Sequence, residues 1–126
     1  MSSKPIRIPG PDHPITIEPT FARLVVRLGD RIVADTSNAL TLREASYPPV
    51  HYIPRADVDM ALFEASTRQT YCPYKGDASY LSVRGGDERL ANSVWSYEHP
   101  YDAVAGIADH LAFYPDRFTI AGQESQ

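Results

Sequence analysis

Cysteine is almost missing from this chain. Its 126 residues contain one, so no internal disulfide can form, and no Cys-x-x-Cys pair is available for structural zinc. A lone thiol fits a reducing compartment, and a cytoplasmic location is the expectation. Long apolar runs are lacking too: none approaches the roughly 20 residues of a spanning helix, so no membrane partner is expected. The opening Met1-Ser2-Ser3-Lys4-Pro5 has no apolar segment behind its charge and does not read as a secretory signal. Positive charge is also short. Twelve Lys and Arg stand against sixteen Asp and Glu, a net of −4, which argues against a nucleic-acid partner, since a phosphate backbone needs a basic face. The Gly-x-x-x-x-Gly-Lys-[Ser/Thr] pattern of a P-loop is absent. The four histidines, His13, His51, His99 and His110, show no ligand spacing, so neither a metal nor a cofactor is expected.

Proline and tyrosine, in contrast, are plentiful, at eleven and eight residues. Prolines at 5, 9, 11, 14 and 19 cannot donate into a ladder or continue a helix. Residues 1–19 therefore read as an extended arm, with Ile15-Thr16-Ile17 as a short edge strand and His13 as a solvated loop residue. Residues 20–120 form one domain, of a size that can bury a single core. Residues 121–126 read as a disordered polar tail.

Within the domain, Arg23 to Leu28 alternates, with Leu24, Val26 and Leu28 on one face. Gly29-Asp30 turns it into a second strand over Arg31 to Asp35. Ala39 to Glu44 is the third strand, and Leu40, Leu42 and Glu44 share a face. Glu44 is then either an inward carboxylate needing a partner or a solvated residue at a frayed end. Val50 to Ile53 is a strand, followed by a helical turn at Arg55 to Val58. Met60 to Glu64 reads as a strand, Ala65-Ser66-Thr67 as a turn, Arg68 to Cys72 and Gly76 to Arg84 as strands. Gly85-Gly86-Asp87 is a turn before strands over Glu88 to Asn92 and Ser93 to Glu98. After His99-Pro100 the pattern predicts a short helix from Tyr101 to Ile107, a strand to Tyr114, and a closing strand at Arg117 to Ile120. This regular spacing predicts a mainly β single domain, a sandwich, roll or barrel, with one short helix near its C-terminus.

Chemistry concentrates at Cys72-Pro73-Tyr74-Lys75-Gly76. Cys72 reads either as a packed apolar residue or as a nucleophile activated by Lys75 or by an imported His51 or His99. Lys75, held between Pro73 and Gly76, reads either as an anion anchor or Schiff-base amine, or as the partner of an inward Glu44. Trp95 and Tyr97 share a strand face, as do Gly76, Ala78 and Tyr80, which places small residues beside large rings. Asp57-x-Asp59 has the spacing of a magnesium-binding pair, but it falls in a turn and reads as solvated.

These residues resemble the domain of unknown function 427 family, whose catalogue label speaks of nucleotidyl transfer. The resemblance runs from Arg23 to Phe118. It is carried by Glu44 ahead of Pro48-Pro49-Val50-x-Tyr52-x-Pro54-Arg55, by Cys72-Pro73-Tyr74-Lys75-Gly76-x-Ala78-x-Tyr80, by Trp95-Ser96-Tyr97-x-x-Pro100, and by Ala112-Phe113-Tyr114-Pro115-Asp116-Arg117. It implies a folded-over, Mss4-like sheet, without the zinc that other proteins of that fold hold on cysteine pairs. Where the family has Gly-His before Pro-Pro, this chain has Ser46-Tyr47.

The leading expectation is a pocket for a small, anionic molecule lined by Glu44, Tyr52, Cys72, Lys75, Tyr80, Trp95 and Tyr97. Lys75 anchors the anion, Glu44 orients Lys75, and the rings hold the organic part. The alternatives are an enzyme using Cys72 or Lys75 covalently, with Glu44 as a further catalytic candidate, and a structural or homodimeric interaction module.

Overall fold

The computed structural model describes residues 4–123. The first three residues of the expected arm and the last three of the expected tail lie outside them. Ten strands follow in chain order: β1 Ile15–Pro19, β2 Arg23–Leu28, β3 Arg31–Thr36, β4 Leu40–Glu44, β5 Val50–Pro54, β6 Phe63–Cys72, β7 Gly76–Val83, β8 Val94–Ser96, β9 His110–Phe113 and β10 Thr119–Gln123. All pairings are antiparallel. Seven strands form one sheet in the order β1-β4-β5-β9-β8-β7-β6, and three form a second, β10-β2-β3. The architecture is mainly β, as the strand spacing predicts.

Pleat alternation divides the core. Successive side chains point to opposite faces, so Ile53, Val94, Leu111 and Phe113 join Leu24, Val26 and Val33 of the small sheet in one dry cluster. Their chain neighbours Tyr52, Trp95 and Ala112 turn the other way, to a cluster with Leu42, Ala78, Tyr80, Tyr97, Val104 and Ile107. The middle of the large sheet is thus covered on both faces.

The large sheet is rolled. β4 and β7 are four strand spacings apart in the ladder, about 19 Å if the sheet were flat. Yet Glu44 at the end of β4 is ion-paired with Lys75, the residue before β7. The start of the chain spans the same gap. β1 pairs with β4, while the Arg7 amide donates to the Pro73 carbonyl at 2.9 Å and Lys4 reaches Asp77 at 2.6 Å. Residues 4–14 are a strap between the two ends of the roll.

Several local expectations are corrected. Met60–Leu62 is a 3-10 turn, and β6 begins only at Phe63. Ala65-Ser66-Thr67 is not a turn: β6 runs through it with a register shift between Ala65 and Gln69 against β7, a bulge that bends the strand without reversing it. Glu88–Leu90 is a 3-10 turn whose Asp87 side chain accepts from the Arg89 amide, so β8 is only three residues long. The expected helix is a kinked 3-10 segment, Asp102–Ile107, followed by β9 as expected. Chain placed in the disordered tail, Ala121 to Gln123, is strand paired with β2.

The corner before β7 depends on glycine. Gly76 sits at φ +109, and a Cβ there would meet the His99 carbonyl at 3.4 Å. Gly76→Ala is expected to lower unfolding free energy by about 1–3 kcal/mol, read from urea melts. Gly10→Ala, which meets nothing within 4 Å, is expected to change it by less than about 0.5 kcal/mol.

Candidate functional site

The site begins with two backbone placements. β4 turns Leu42 and Glu44 to the inside of the roll, and β1 holds the strand end in register, pairing Ile15 with Glu44. The frayed, solvated alternative for Glu44 is therefore not what forms: its side chain is 13% exposed. At the facing corner the Lys75 amide donates to the Cys72 carbonyl at 3.2 Å, closing a tight turn that folds the lysine inward, where it is 8% exposed.

The Lys75 ammonium donates to Glu44 Oε1. It also lies 3.7 Å from Cys72 Sγ and 5.8 Å from the centre of the Tyr97 ring. The second carboxylate oxygen is bound to His13 Nε2 at 2.7 Å. The imidazole is fixed by stacking on Tyr74, with ring centres 4.0 Å apart and planes 5° from parallel, and by reciprocal backbone bonds between Gly10 and His13. His13 is thus no solvated loop residue but a member of the site.

Burial raises the Glu44 pKa, but the hydrogen bonds from Lys75 and His13, with their charges, outweigh it, so the carboxyl titrates below its ordinary value. The phenols move the other way. Burial pushes Tyr52 up to about 12, only partly offset by the bond donated by Trp95 Nε1 at 3.3 Å. Tyr97 is also raised, first by burial and then by the neighbouring Tyr52. Both keep their protons at neutral pH.

A cavity of about 230 Å³ opens beside this ion pair, lined by Leu42, Glu44, Tyr47, Pro48, Val50, Tyr52, Lys75, Tyr80, Trp95, Tyr97 and Tyr114. Six of the seven residues expected in the pocket stand in its wall. Cys72 does not; it is half buried behind Lys75 and packs against the same cluster. Tyr47 and Tyr114 were not foreseen as lining residues. Tyr114 lies 4.5 Å from the Trp95 ring. Tyr52 meets Trp95 edge to face.

Other candidates lie elsewhere. His51 bonds the Thr41 hydroxyl at 3.1 Å, and its pKa is lowered by burial and by Arg43; among the described residues the Cys72 sulfur has its hydrogen bond from Lys75 and none from His51 or His99. Asp57 accepts the Thr36 hydroxyl at 2.6 Å, which gives it a structural role beside β3. Among the described residues no cluster of three His, Cys, Asp or Glu is arranged to hold a metal, and no helix is long and apolar enough to cross a membrane.

Comparison with known proteins gives a family. A family model described as a domain of unknown function (DUF427) matches residues 16–124. No curated protein matches the chain.

Two outcomes follow from the ion pair. Lys75→Met strands a mostly buried carboxylate and is expected to cost up to about 3 kcal/mol. Adding Glu44→Gln recovers part of that loss, so the double-mutant cycle in urea shows a non-additive coupling. The pH dependence has a definite sign. Because the folded-state pKa of Glu44 is lowered, its contribution is complete above the ordinary value of about 4.3. It is lost as pH falls through the lower native value. The stability gap between wild type and Glu44→Gln is therefore expected to hold steady from pH 7 to about 4.3 and to narrow as pH falls further; a gap that stays constant as far down as the fold survives contradicts the assignment.

Proposed function

We propose, from the premise that this protein belongs to the DUF427 family, that the cavity beside Lys75 binds a small, flat organic anion. One observation carries the reading. Lys75 is 8% exposed, yet it lines a cavity whose other walls are largely aromatic, and its ammonium lies 5.8 Å from the centre of the Tyr97 ring in that wall. An ammonium has three donors. Glu44 takes one and the Cys72 sulfur receives another weakly, which leaves donor capacity for a ligand carboxylate. Glu44 holds the chain of Lys75 in place, and His13 holds Glu44. The faces of Tyr80, Trp95 and Tyr97 suit a planar group.

Size narrows the ligand. About 230 Å³ is below the roughly 300–1,000 Å³ usual for drug-sized molecules, so a single ring with a carboxylate fits better than a nucleoside triphosphate. The engagement of Asp57 by Thr36 also weighs against magnesium-assisted nucleotidyl transfer at Asp57 and Asp59, despite the family's label.

A second reading makes the protein an enzyme that uses Cys72 or Lys75 covalently, and the 3.7 Å contact between amine and sulfur favours it. Iodoacetamide at neutral pH separates the two: an inert Cys72 in folded protein removes the thiol version. The interaction-module reading draws instead on exposed Ile8, Phe21 and Tyr47. A cytoplasmic setting rests on the single unpaired thiol.

The direct test uses benzoate against benzamide, its neutral isostere. Benzoate at a hundred times its Kd is expected to stabilise the fold by about 2.7 kcal/mol, seen as a raised Tm, while benzamide at equal concentration has little effect. Lys75→Gln is expected to erase the difference. An unmoved Tm in millimolar benzoate sinks the proposal.

A further inference from the structure

Across the Tyr80 and Tyr114 rings from the Lys75 cavity lies a second hollow of about 280 Å³, lined by Arg68, Ala91, Asn92, Tyr114 and Arg117. Three separate devices build it. The β6 bulge lays Arg68 over the Tyr80 ring, 5.1 Å from its centre. The Arg68 amide is tied to the Ser66 hydroxyl at 3.1 Å. Asn92 sits at φ 54, a left-handed conformation that costs energy and recurs at ligand sites. The turn after β9 brings Arg117 over the Tyr114 ring at 5.4 Å.

The two arginines and the asparagine that line this hollow bring donors. Ser66 donates its hydroxyl to Asn92 Oδ1, so the acceptor of that amide is used, while its NH₂ has no acceptor among the described residues. The Arg68 guanidinium has no carboxylate partner among them. Arg117 spends Nε on the Arg89 carbonyl at 2.6 Å and one NH₂ group on Asp116 at 3.2 Å, which leaves its other NH₂ group. No carboxylate lines the hollow. Both arginines act on the Tyr114 hydroxyl, lowering a pKa that burial and Tyr80 raise, which fits two cations sharing one space.

We infer that this hollow is a binding site for a phosphate group, held between the guanidinium fork of Arg68, the remaining NH₂ group of Arg117 and the Asn92 amide. Planar guanidinium forks match phosphate oxygens two at a time, and the Asn92 amide adds a neutral donor. The site stands apart from the Lys75 cavity and does not depend on its reading. Tyr114 is the wall between them.

Inorganic phosphate, titrated into the full ¹⁵N-labelled chain at constant ionic strength, tests it. Saturable shifts in the Asn92 side-chain amide and in Arg68 and Arg117 Nε are expected in the millimolar range. Arg68→Gln, at an exposed position, is expected to weaken binding about ten-fold, one charge-assisted contact. Asn92→Gly, which keeps the left-handed backbone and removes the amide, weakens it several-fold. Lys75→Gln leaves it unchanged while abolishing any benzoate effect. Methyl phosphate binding more tightly than inorganic phosphate assigns the site to esters; the reverse assigns it to the free ion. Linear, unsaturable shifts, equal binding by Arg68→Gln, or loss of phosphate binding in Lys75→Gln overturns the inference.

Discussion

An ammonium and a carboxylate meeting out of water hold the roll shut. Glu44 and Lys75 come from parts of the ladder that a flat sheet would keep far apart, and their contact fixes how tightly the sheet curls. Such a pair is a weak stabiliser, since desolvating both charges cancels most of their attraction. It is directional, however, and a rolled sheet needs direction more than it needs glue. The carboxylate has two oxygens, and both are used: one toward the lysine, one toward the histidine of the strap. Charge at a single side chain thereby links β4, the corner before β7 and the start of the chain.

The two faces of the large sheet are chemically unlike, and the difference follows from alternation. One face is closed by the small sheet with aliphatic side chains and Phe63, Phe113 and Phe118. The other carries Tyr52, Tyr80, Tyr97 and Trp95. Tyrosine and tryptophan bury large rings but need a partner for one polar atom. They suit a surface that is closed against itself but not fully dry. Tyr80 bonds Thr70 at 2.9 Å and Tyr52 takes the Trp95 indole, so these rings are pinned by their polar ends and leave space between their faces.

That arrangement explains what could be read from the residues and what could not. Period two places Glu44 with Leu42, and Gly76 with Ala78 and Tyr80, without any knowledge of the fold. Pro73 and Gly76 mark the corner that turns Lys75 inward. Local pattern therefore carried most of the Lys75 cavity. It failed where the deciding contact is distant. His13 meets Glu44 across 31 positions of sequence, and no local pattern in the proline-rich strap encodes that. Ser66 and Thr67 favour turns and strands alike, so a bulge and a reversal look the same until β7 supplies the pairing. Ala121 to Gln123 has too little apolar content to announce a strand, because β10 is an edge with one partner and needs only half the pattern.

The charge at the centre of the roll also bears on why it is there. Where a buried ion pair serves packing alone, apolar side chains of similar volume do the work as well or better. This pair is surrounded by residues that could have closed the space: Leu42, Val50 and six aromatic rings reach the same cavity. Instead the rings stand back, burial pushes the phenols of Tyr52 and Tyr97 further from ionising, and the wall keeps one cation and one anion. His13 bonds the anion, and Tyr74 and the Gly10 turn hold His13 in place. A structure that supports a charge so heavily, and still leaves a void beside it, is arranged around that charge and not around the densest filling of its own interior.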